Sequence, residues 1–245
     1  MIDLYRFYVN PFDDEDISVD ELTAYGDAHL ARMTGQNPGN VLDASIAATG
    51  NLLTALDASI SNETVRSGVQ AATVRAKNDF RAALPNELSK PYGTTLSKYG
   101  KKGAKMLEIW PGGLSAYGDS SDGGLDGLLT ALQAALFNNK TDLGPDPATQ
   151  VQALAAQWEA VYGTANTNKG QNLSAADTRR LAVKTLRLQL FKNLLQLAAL
   201  FPNQRDKADY YHPQHLLENA APAPAATPAA TTATTGGQAA NDGKA

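Results

Sequence analysis

The chain of 245 residues has no cysteine, so disulfides, thiolate metal sites and cysteine nucleophiles are excluded. Aromatic residues make up 7% and there are only three histidines, which leaves few groups for stacking on bases or for proton transfer. Neither charge sign is in large excess. Twenty-one Lys and Arg against 25 Asp and Glu give a formal net charge of −4, without the electrostatic footprint of a protein for nucleic acid or an anionic membrane. Long apolar runs are missing too. The most apolar stretch, "LRLQLFKNLLQLAALF", is short for a span and carries Arg187 and Lys192. The N-terminal "MIDLYRFYVNPFDDEDIS" shows no basic segment leading into an apolar one, so no signal peptide is read and the expected location is the cytoplasm.

What is present is helical periodicity, with apolar residues recurring three and four apart nearly throughout. A first helix opens at Ser18, where "SVDE" forms a capping box with Glu21. Leu22, His29, Leu30 and Met33 line its inner face, and "GQNPGN" ends it. Asn40 is the expected cap of a second helix, whose Leu42, Ile46, Thr49, Leu53, Leu56 and Ile60 make a coiled-coil-like seam. A third helix follows the "SN" at 61–62. Its expected inward residues are Val65, Val69, Ala72, Ala76, Phe80 and Ala83, with a stop at Pro85 and a short helix beyond.

Residues 99–124 are glycine-rich without a clear period, yet Met106, Leu107, Ile109 and Trp110 are too apolar for a free linker. The second half repeats the plan. One helix covers 125–137, the next starts at "DPATQ" with Val151, Leu154, Ala155, Trp158 and Tyr162 inward, and a long one runs from Ser174 to Phe201. Arg180, Lys184 and Arg187 lie on one side of this last helix, where Phe191, Leu194 and Leu195 lie further along, so its packing environment changes along its length. "LTA" and "AALPN/AALFPN" echo between the halves, which fits either an internal duplication or shared helix composition.

The expected fold is therefore all-α, a bundle of six to eight helices arranged as two three-helix halves. Residues 1–17 form an extension, 18–98 the first half, 99–124 a docked connector and 125–219 the second half. The Ala/Pro/Thr-rich segment 220–245 lacks the apolar surface to offset chain entropy and is expected to be a disordered tail.

Several residue groups carry possible chemistry. Asp209, His212, His215 and Glu218 are spaced by threes, and imidazole with carboxylate on one helix face can hold zinc or iron. Pro213 interrupts that helix, and no Glu-x-x-His pair elsewhere completes a dimetal site. The run Asp13–Asp16 lacks the glycine and closing Glu of a calcium loop and suits a helix entry. Lys98, Lys101, Lys102 and Lys105 sit among glycines that follow no phosphate-binding spacing. Trp110, Trp158, Tyr162 and Phe201 read as core aromatics or as the lining of an apolar pocket. His29 reads as a hydrogen-bonded core histidine or a base.

"NPFDDEDISVDELTAYGDAHLARM", "EIWPGGLSAYGD" and "LFKNLLQLAALF" resemble a group of uncharacterised bacterial helical proteins of similar length. The resemblance covers residues 5–217, implies one compact helical protein, and brings no activity or functional residue with it. The residues themselves favour a non-enzymatic scaffold or protein-interaction protein, self-associating or binding a protein partner, with no cofactor, no nucleic acid and no membrane. The alternatives are a metal-binding protein or metal-dependent enzyme using Asp209, His212 and His215, and a helical pocket for an apolar ligand.

Overall fold

The computed structural model describes residues 9–217. Among these there are eight α-helices and no strand, so the protein is all-α. They are α1 (Val19–Gly35), α2 (Asp43–Tyr99), α3 (Ala104–Ile109), α4 (Ser115–Asp119), α5 (Asp122–Asn138), α6 (Lys140–Leu143), α7 (Asp146–Leu200) and α8 (Arg205–Tyr211). Residues 1–8 and 218–245, with Glu218 and the segment 220–245 among them, lie outside the described residues. No helix among the described residues is long and apolar enough to cross a membrane.

Helix α1 begins as its sequence dictates. The Ser18 Oγ accepts from the Glu21 amide and the Glu21 carboxylate accepts from the Ser18 amide, closing the capping box. The entry to α2 differs from expectation. Asn40 has φ 60° in a short 3-10 turn, and Asn37 does the capping work: its Oδ1 accepts from the Leu42 amide and its Nδ2 donates to Asp43.

The larger correction concerns length. The breaks expected at 61–62 and Pro85 do not occur; α2 runs 57 residues with Pro85 and Pro91 inside it. Likewise the helix expected to start at Asp146 and the separate one expected to start at Ser174 are a single α7 of 55 residues. A proline inside a helix costs about 3 kcal/mol. Leu84 and Leu88, on either side of Pro85, are almost fully buried, and at about 1.5–3 kcal/mol each their burial offsets that cost. Helix continuity is set here by what the flanking turns pack against.

Contacts divide the chain into two compact units, Met1–Ile46 with Leu190–Ala245, and Ala47–Gln189. The sequence had suggested a boundary within 99–124 instead. In the first unit Met33, Leu42, Leu197 and Tyr211 form the core, with Leu30, Ile46, Leu200 and Phe201 packed around it. Gln196 pins this packing, accepting from Ser45 Oγ and donating to the Val41 carbonyl.

The second unit has the larger core. Leu84 and Leu88 of α2, Met106 and Ile109 of α3, Leu125, Leu129, Leu132 and Leu136 of α5, and Val151, Leu154 and Trp158 of α7 are buried together. Trp110 enters the same core, edge-on to Tyr92 and Tyr117. The turn from α2 into α3 depends on two glycines. Gly100 takes φ 69° and returns its amide to the Leu96 carbonyl, and a Cβ at Gly103 would stand 2.2 Å from the Tyr99 carbonyl oxygen. Arg81 anchors the start of α5, donating to Asp122 and to the Gly118 and Ser120 carbonyls, with Lys77 also on Asp122.

Candidate functional site

Helical spacing puts Tyr25 and His29 on the inner face of α1, and the chain leaving α8 lays His212 beside them. All three are buried, at 1%, 0% and 6% exposure. Three rings stack, His29 to His212 at 4.9 Å between centroids and Tyr25 to His29 at 5.9 Å, and Phe12 packs tilted against Tyr25 at 5.2 Å.

The hydrogen bonds fix the state of His29. Its Nδ1 lies 2.7 Å from the Tyr211 carbonyl, which can only accept, so Nδ1 carries the proton. Nε2 then accepts from Asn193 Nδ2 at 3.2 Å. Tyr25 Oη and His212 Nδ1 share one bond at 2.5 Å, and His212 Nε2 is buried with no hydrogen-bond partner. Arg32 donates to the Tyr210 carbonyl at 2.7 Å. Together these contacts latch residues 210–212 onto α1.

Both imidazoles are held neutral. Burial pushes His212 down to about 3, helped by the cost of charging two adjacent imidazoles, His212 and His29, together and by repulsion from the Arg32 guanidinium. Burial also holds His29 below the ordinary histidine range, against the opposing pull of the Tyr211 carbonyl. Burial raises the Tyr25 phenol well above its usual value. A base needs reach to a substrate proton, and these rings touch each other and the core. The arrangement clamps the C-terminal segment in place.

The residues expected to hold a metal are not brought together. His212 points into the core. His215 is exposed on the 3-10 turn Gln214–Leu216, and Asp209 is exposed on α8 facing Arg205 at 3.4 Å. Glu218 lies outside the described residues. Pro213 decides this, because α8 stops at Tyr211 and the helical spacing that would align the pair is lost. No group of three or more His, Asp or Glu able to hold a metal occurs among the described residues.

The other candidates are accounted for by packing. Asp14 accepts from the Asp16 amide in an exposed turn. Lys105 bonds Asp142 at 2.9 Å and lies over Tyr99, which donates to the same carboxylate. Trp158 stacks on Tyr162 and Trp110 is buried in the core of the second unit, whereas Phe201 packs against the core of the first. Sequence reasoning missed the meeting of His29 with His212. Nothing local signals it, since the two are joined only by how α8 folds back on α1.

The second unit carries an unusual surface. Along residues 63–70 of α2 and 171–179 of α7 the helices meet through polar groups. Glu63 pairs with Arg179 at 2.8 Å, Arg66 donates to Gln171 at 2.6 Å, and Asn172 bonds both Ser67 and Gln70. The residues expected to face inward here face out. Val65 is 63% exposed and Val69 39%, and Ala72, Ala76 and Ala83 are exposed as well; only Phe80 reaches the core. The reason is rotational. The residues bonded to α7 fall at 63, 66, 67 and 70, more than a quarter of a turn from the apolar stripe. No known protein family, no curated protein and no solved structure matches the chain.

Proposed function

We propose that the protein is a non-enzymatic helical scaffold that self-associates along the outer face of α2. One observation carries the reading: Val65, Val69, Ala72 and Ala76 recur at coiled-coil spacing on a face turned to solvent, while the adjoining helix contact is made by Glu, Arg, Gln and Asn. Small alanines permit close helix approach. A second copy offers the same stripe under a twofold axis, so one surface satisfies both sides.

Sedimentation velocity over a hundredfold range of concentration tests the idea. Self-association is expected to appear at the upper end and to vanish in Val65→Glu/Val69→Glu, with helix content unchanged. A wild-type chain that stays monomeric throughout, or a double variant that associates equally well, refutes it.

A further inference from the structure

The first unit contains a cleft of about 540 Å³ at the C-terminal end of α1, within the size range of small-molecule sites. Its floor is aromatic. Phe201 and Tyr211 lie nearly parallel at 5.7 Å and 16°, and Tyr210 stands edge-on to Tyr211 at 5.2 Å. Pro38 also lines the cleft. These rings are not free to collapse inward. The Tyr211 hydroxyl donates to the Gln36 carbonyl at 2.9 Å, and the Tyr211 and Tyr210 carbonyls are held by His29 and Arg32. The cleft is therefore preformed, which lowers the ordering cost of binding.

Its rim has one cation suited to a ligand. Lys207 places its ammonium 5.3 Å from the Phe201 ring centroid and makes no ion pair among the described residues. Its neighbour Asp206, also on the rim, sits in the first turn of α8. Tyr211 and the Lys207 ammonium cover Phe201, whereas Tyr210 is 41% exposed and lies one turn of α8 from Lys207, so a flat ring packed on Tyr210 can direct an attached carboxylate to that ammonium.

We infer that this cleft binds a small planar aromatic carboxylate, its ring against Tyr210 and its acid on Lys207. The site does not depend on self-association, and its test is separate from that of the α2 stripe. Titration of the full chain with 2-naphthoate, followed by the NMR signals of the tyrosine rings, is the direct experiment. Saturable shifts centred on Tyr210 and Tyr211 are expected, with the neutral 2-naphthalenemethanol binding about tenfold more weakly.

Lys207→Met should remove that preference, leaving acid and alcohol alike, while Asp206→Asn should tighten the acid a few-fold by removing a like charge. Both positions are exposed, so neither change disturbs the fold. Absence of saturable shifts at millimolar naphthoate overturns the inference. So does an acid preference that survives in Lys207→Met, or equal binding of acid and alcohol by the wild type.

Discussion

Lowering the pH from 7.5 to 5 should weaken the first unit by a calculable amount. His212 in the fold is held at about 3 against an ordinary 6.5, so the folded state refuses a proton that the unfolded chain accepts. The neutral ring's contribution is whole above about pH 6.5 and is lost as pH falls toward 3. The full difference corresponds to about 5 kcal/mol, of which about 2 kcal/mol is gone by pH 5.

His29, depressed for the same reason, adds loss of the same sign. The lowered carboxylates of Asp122 and Asp142 act in a more acid range and leave this window to the imidazoles. Urea unfolding by circular dichroism at pH 7.5, 6 and 5, with amide exchange of α1 reporting on this unit, measures the slope. In His212→Phe the ring and its stacking remain but the titration does not. That variant should lose about 1–3 kcal/mol at pH 7.5, from the stranded Tyr25 hydroxyl, yet show a shallower pH dependence. A wild type equally stable at pH 7.5 and 5, or a variant with the wild-type slope, refutes the reasoning.

Two further changes test the helix readings. Gly103→Ala forces a Cβ against the Tyr99 carbonyl oxygen and should destabilise the α2–α3 turn by about 1–3 kcal/mol, read as a lower midpoint in thermal unfolding. Pro85→Ala restores an amide donor inside α2 and removes the ring's clash with the preceding turn. It should stabilise the second unit by about 1 kcal/mol or more in urea titrations, and a loss of stability would show that the proline is needed where it stands.

Local signals carried much of this protein. Ser18 and Glu21 announce the first helix because a capping box needs only four residues. Leu42, Thr49, Leu53 and Leu56 announce a buried seam by their spacing, and all four are buried. The all-α class follows from the same periodicity repeated along the chain. Signals of the same local kind misled at 61–62 and at Pro85, where a polar pair and a proline suggested ends. Their cost of a few kcal/mol is real but small beside the apolar burial of the turns around them.

Composition and spacing by themselves determined that the chain would be helical, where α1 would start, and that thiol chemistry was excluded. Only the tertiary structure decided that α2 and α7 each run unbroken and that Val65 and Val69 turn outward. It alone joined His212 to Tyr25 and His29 and parted it from His215. The physical reason is common to all three. Helix propensity and capping act within a few residues, whereas the rotation of a helix about its axis, its tolerance of a breaker and the partner of a buried imidazole are fixed by contacts between distant parts of the chain.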